Sequence, residues 1–202
     1  LEVISGNGTK NSPYTIEETN SLFGGYVKLG NDTWRIYDID NNNVKLILND
    51  YLTVNNEKLL KSYSSNNYYH NDTIYSSLAY YLNNDYLNSL SYKNIINNSN
   101  WSNYYYSSDI NYNYQEVLNK KIDTKVSLLS IGDILLNDNN LENFFTNTGT
   151  DNTTNQVYTV NSNGTLSKKS VNYNSNVVPC ISINKDILTK GNGTIDTPYE
   201  ME

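Results

Sequence analysis

Apolar residues in this chain fall in short alternating runs rather than long blocks. Gly24-Gly25 leads into Tyr26-Val27-Lys28-Leu29, which reads as a strand turning at Gly30-Asn31-Asp32. Residues 34–39 then alternate, with Trp34 and Ile36 on one face and Tyr37 and Ile39 on the other. Asp40-Asn41-Asn42-Asn43 forms a turn, because Asn and Asp tolerate positive φ and bond their own backbone. Val44, Leu46 and Leu48 alternate beyond it, so the pattern predicts an N-terminal β-hairpin.

Behind the N-cap cluster Asn71-Asp72-Thr73 the period changes: Ile74, Leu78, Tyr81 and Leu82 fall at helical spacing. This predicts an amphipathic helix to about Leu82, a break at Asn83-Asn84-Asp85, and Leu87 and Leu90 extending the apolar face. The stretch 97–114 has no clean period and reads as a long surface loop with one ragged strand at most. Further strands are expected over 126–130, 156–160, 165–166 and 177–183, with Ser130 capping a short helix over 131–136. Strands and helices mix without β-α-β alternation, so the class is α+β: a mixed, mainly antiparallel sheet with one or two amphipathic helices.

One segment occurs twice. Gly6-Asn7-Gly8-Thr9-Lys10-Asn11-Ser12-Pro13-Tyr14 returns 185 residues later as Gly191-Asn192-Gly193-Thr194-Ile195-Asp196-Thr197-Pro198-Tyr199. A fixed period of this kind leads us to expect one unit of a tandem array. Residues 1–18 are then a joint segment carried over from a preceding repeat, 19–188 a single module, and 189–202 the second copy of the joint. The joint residues singled out are Gly6, Gly8, Pro13, Tyr14, Gly191, Gly193, Pro198 and Tyr199. A short strand over 1–4, or the matching 186–188, is expected to add to a neighbouring module's sheet edge.

Composition narrows the function classes. With 14 Lys and Arg against 21 Asp and Glu, the net charge of −7 disfavours nucleic acid, whose phosphates demand clustered cations. No apolar run approaches the roughly 20 residues of a membrane helix, so membrane insertion by this fragment is not expected. Nearly one residue in five is Asn and there are 20 Tyr but only three Phe, so Tyr must supply core volume. The single Cys180 excludes an internal disulfide and reads, in Val177-Val178-Pro179-Cys180-Ile181, as a small buried residue.

Several short motifs resemble a family of uncharacterised extracellular modules common in Gram-positive bacteria of the Bacilli and Mollicutes. They are Thr33-Trp34-Arg35-Ile36, Leu82-Asn83-Asn84, Leu128-Leu129-Ser130-Ile131-Gly132-Asp133, Val177-Val178-Pro179 and the closing Gly-Asn-Gly-Thr to Pro-Tyr segment. Phe144-Phe145-Thr146 stands where the family has a Trp-Thr pair, and Val178 where it has an Arg. The resemblance implies a secreted, cell-surface attached, tandemly repeated module without assigned activity, and a distant likeness to the C-type-lectin fold.

Chemistry has few candidates. His70 is the only histidine and suits a surface or capping role rather than a catalytic pair with Cys180. His and Cys are too few for a metal cluster, and no cofactor is expected. Asp38-Ile39-Asp40-Asn41-Asn42 alternates oxygen ligands like the start of a calcium loop but lacks its Gly and bidentate Glu. The aromatic, amide-rich stretch with Trp101, Tyr104, Tyr105 and Tyr106 is the best candidate for ligand contact, combining stacking area with adaptable hydrogen bonds. The leading expectation is a non-enzymatic surface module presenting loops to glycans or host proteins. A structural spacer or pilus-like filament subunit comes second, and a glycan-acting enzyme using two carboxylates third.

Overall fold

The computed structural model describes residues 2–5, 15–17, 22–63, 77–102, 121–131, 133, 141–150, 155–162 and 165–202. Strands β1 (Glu2–Ser5) and β2 (Thr15–Glu17) pair with each other. β3 (Tyr26–Leu29), β4 (Asp32–Asp40) and β5 (Asn43–Leu48) form the meander expected from the alternation. β6 (Thr53–Val54), β7 (Glu57–Lys58) and β8 (Leu60–Lys61) are short. β9 (Ser99–Ser102) and β10 (Lys121–Thr124) pair before β11 (Val126–Ser127). β12 (Phe144–Gly149), β13 (Gln156–Val160), β14 (Leu166–Ser170), β15 (Ser175–Asn176) and β16 (Cys180–Asn184) follow.

Two five-stranded sheets organise the molecule. The first, in order β11-β16-β5-β4-β3, is antiparallel throughout; the second, β14-β13-β12-β15-β8, has one parallel pair, β12 with β15. Trp34, Ile36, Val44 and Leu46 from the first sheet and Phe144, Phe145, Val157 and Val160 from the second belong to one buried cluster. A bulge between Ile36 and Asp38 lets both Ile36 and Tyr37 be buried although they are adjacent in sequence. The fold is thus mainly antiparallel sheet with one short helical stretch.

That stretch corrects the expected break. α1 (Leu78–Tyr81) starts on Ser77, whose Oγ accepts from the Tyr80 amide at 3.0 Å. It continues through a π-helical turn over Leu82–Tyr86 into α2 (Leu87–Ser89), so the chain stays helical across Asn83-Asn84-Asp85. Asn83 and Asn84 donate through Nδ2 to the carbonyls of Ala79 and Tyr80, each at 3.0 Å, and these contacts brace the widened turn instead of breaking it. The expected cap at Asn71-Asp72-Thr73, and Ile74, lie outside the described residues.

Two further differences have clear causes. β12 was not expected, since Phe-Phe-Thr-Asn-Thr-Gly has no alternation, yet all six residues are buried. Its polar side chains are spent internally: Thr146 Oγ1 donates to the Tyr158 carbonyl at 2.9 Å and Thr148 Oγ1 accepts from the Ile131 amide at 3.2 Å. Residues 186–188 do not form an edge strand. They fall at the 3-10 turn Lys185–Ile187, capped by Asn184 Oδ1, which accepts from the Asp186 amide at 2.9 Å.

Candidate functional site

The second joint segment is built into the first sheet. Tyr26 N–H donates to the Gly193 carbonyl, Lys28 N–H to the Tyr199 carbonyl and Tyr199 N–H to the Tyr26 carbonyl, each at 2.8 Å. These bonds occupy the outer edge of β3, with Val27 and Tyr199 bridging in parallel. Residues 189–202, expected as a separate joint, therefore share their main-chain bonding with the module.

Each residue retained between the two copies has a task here. Gly191 and Gly193 take φ of +82° and +78°, and a Cβ on either would collide, with Pro198 backbone and the Tyr199 ring respectively. The same ring lies 2.8 Å from where a Cβ on Gly25 would sit. Asn192 Oδ1 accepts from Thr194 N at 3.2 Å and from Thr194 Oγ1 at 2.9 Å, and Thr194 Oγ1 accepts from Thr197 N at 3.1 Å. Pro198 supplies the carbonyl beside Gly191. The three positions that differ between copies, Ile195, Asp196 and Thr197, are exposed. The sequence pattern marked Gly25 only as a strand lead-in; its pairing with Gly24 ahead of an alternating run was the available signal.

Both copies close on the same register. β1 pairs Ser5 with Thr15 across a bulge at Ile4, and 185 residues later Lys190 pairs with Glu200. Thr189, the counterpart of Ile4, and Lys190 both donate to the Glu200 carbonyl, at 3.0 and 3.2 Å, which is how two residues opposite one bond in a bulge. Gly6, Gly8, Pro13 and Tyr14 lie outside the described residues.

The opposite edge of the same sheet is closed by a side chain. Asn83 Nδ2 donates to the Val126 carbonyl at 2.8 Å while Asn83 Oδ1 accepts from Val126 N at 2.9 Å and Thr124 Oγ1 at 2.7 Å. The amide thus pairs with Val126 as a neighbouring strand would. Trp101 lies close by in the chain's interior: it is 2% exposed and its indole N–H donates to the Thr124 carbonyl at 2.7 Å. Lys45 Nζ sits 5.5 Å from the centre of that ring and bonds Asp38 at 2.9 Å. This places Trp101 in the core rather than on a contact surface; Tyr104, Tyr105, Tyr106 and His70 lie outside the described residues.

Asp38 to Asp40 end β4, and Asn41-Asn42 is the hairpin turn, with Asn41 at φ +48°. Asp38 is committed to Lys45, and the carbonyls of Asn41 and Asn42 accept from Lys185 Nζ and N at 2.8 and 2.9 Å. Among the described residues no group of three His, Cys, Asp or Glu is placed to hold a metal. Cys180 is fully buried, and burial pushes its thiol well above the ordinary range; burial does the same to the adjacent Tyr37 phenol. Burial also raises Asp133, against the pull of Ser130, whose N and Oγ donate to its carboxylate at 2.8 and 2.7 Å. Asp133 N in turn donates to Ser130 Oγ, completing a capping box.

A cleft of about 830 Å³ opens beside β4 and the helical stretch, lined by Asp32, Asp50, Asp85, Tyr51, Tyr81, Tyr86 and Tyr92 among others. Tyr92 donates to Asp32 at 2.5 Å and stacks edge-on against Trp34. Burial, then the neighbouring Tyr86 and Asp32, raises the Tyr92 phenol; burial dominates at Tyr86 too. No helix among the described residues is long and apolar enough to cross a membrane. No family model, curated protein or solved structure matches the chain.

Proposed function

We propose that this chain is a non-enzymatic building module of an extracellular, cell-surface tandem array, in which the Gly-Asn-Gly-Thr to Pro-Tyr segment fixes the joint between successive copies. The observation that carries this reading is the common register and bulge of the two segments, at Ser5 with Thr15 and at Lys190 with Glu200. Main-chain pairing across a joint resists bending far better than a free polar linker does. Its partners are neighbouring modules of the same protein. The family resemblance and the amide-rich composition support the surface setting, and a C-type-lectin-like core remains part of the same proposal.

Small-angle scattering on residues 1–202 followed directly by residues 18–202 tests the spacer role. A single fixed maximum dimension is expected; a broad bent ensemble would remove it. The cleft favours a second reading, display of a glycan-binding surface, because phenols, carboxylates and amides together match sugar hydroxyls and ring faces. A glycan array probed with the unaltered chain and with Tyr81→Ala and Asp85→Ala would support it if binding appeared and fell with both substitutions.

A further inference from the structure

The outer edge of β3 offers one seat, and the chain's own second joint fills it through Gly193 and Tyr199. The β1–β2 hairpin has the register and the bulge of that second joint, and the segment between its strands shares six of nine positions with it. It therefore carries what is needed to close a β3 edge while the β3 edge of its own module is taken. We propose that the β1–β2 hairpin docks on β3 of a preceding copy of the module, closing that copy's sheet as residues 190–200 close this one. The inference rests on the array reading and deepens it: the edge of β3 is the inter-copy interface, its occupant is the hairpin of the next copy in the chain, and the folding unit runs from about Leu22 to Glu202 instead of stopping at 188.

The chemistry of the seat supports a specific occupant. Main-chain bonds at Tyr26 and Lys28 demand a bent partner that brings the Gly193 carbonyl and the Tyr199 main chain to the same edge, and the Tyr199 ring lies against Gly25 and Gly193, where a side chain would obstruct it. Only a segment with Gly and Tyr at the spacing of Gly193 and Tyr199 meets both demands. Gly8 and Tyr14 have that spacing. The positions that vary between the copies are exposed in the docked segment, so the variation leaves the seat untouched.

Withdrawing the resident segment tests this. In the full chain carrying Gly193→Val, the second joint loses its fit and the hairpin of another molecule takes the vacated edge. Sedimentation velocity on this variant should show head-to-tail association that grows with concentration, while the unaltered chain sediments as one species. The same variant lacking residues 1–17 should stay monomeric. A folded Gly193→Val chain that remains monomeric, or one that associates equally well without residues 1–17, overturns the proposal. Should Gly193→Val fail to fold, deletion of residues 1–17 from the otherwise unaltered chain decides. Its thermal midpoint should move by less than about 2 °C, since the hairpin belongs to the preceding unit, and a larger fall overturns the assignment. Scattering from the two-copy chain is independent of these outcomes: a bent ensemble removes the rigid spacer, whereas failure here leaves copies joined without edge docking.

Discussion

At the residue scale Asn83 has the largest consequence for its size. Its amide holds Ala79, Thr124 and both main-chain groups of Val126, so one side chain ties the π-helical turn to the edge of the first sheet. Asn83→Ala removes these part-buried bonds together and should cost about 2–4 kcal/mol, read as a shift in urea midpoint at constant slope. A loss under about 1 kcal/mol would show that water replaces the amide. The sequence marked Asn83 as part of a family-like Leu-Asn-Asn motif and as a helix break, not as a brace, because its role depends on a strand more than 40 residues away. Cys180 was legible, since its apolar neighbours predicted burial and it is buried. Trp101 misled because an aromatic beside Asn and Ser in an unpatterned stretch has the composition of a contact loop; strand pairing of Asn100 with Asp123 and of Trp101 with Ile122 carries it inward.

At the element scale the β3-β4-β5 meander was readable because alternation and an Asn-rich turn agree, and local signals suffice for local pairing. β12 was unreadable for the converse reason. A strand buried on both faces has no polar face to alternate, and here its burial is paid for by threonine bonds that depend on β13 and residue 131. Thr148→Val keeps the shape and removes the acceptor of the Ile131 amide, and should destabilise the protein by about 1–3 kcal/mol. Equal thermal midpoints for the two chains would show that this acceptor is dispensable. The helical stretch was half legible: its apolar spacing predicted α1, whereas residues read as breakers turned out to brace a π turn by bonding backward.

At the scale of the whole molecule, Leu, Val and Ile fill most of the described core, and tyrosines such as Tyr37, Tyr86 and Tyr92 are buried among them. Burial raises Tyr37, Tyr86 and Tyr92, so the native state keeps their protons after the unfolded chain, with phenols near 10, has lost them. A raised folded value means the stabilisation is fully present below about pH 10 and is lost as pH climbs toward the folded values. Three withheld protons give a slope of about 4 kcal/mol per pH unit above that point. A titration at 295 nm with parallel circular dichroism should show these phenols ionising only as the fold is lost. Complete ionisation of all 20 tyrosines with the dichroism intact would refute it. The repeat was the clearest signal in the sequence, yet the position of its second copy along the edge of β3 was not legible there, because it depends on contacts with residues more than 160 positions away.

On the proposed docking, two closing segments that share six of nine residues present any one β3 seat with two nearly equal claimants. Affinity alone does not choose between them; tethering does. Residues 190–200 follow β16 by a handful of residues, which gives them an effective concentration on the order of millimolar at their own β3. On the proposed docking, a closing segment from a neighbouring molecule competes only at a comparable local concentration. Dilute chains would then keep their own closing segments, and crowded ones would exchange them.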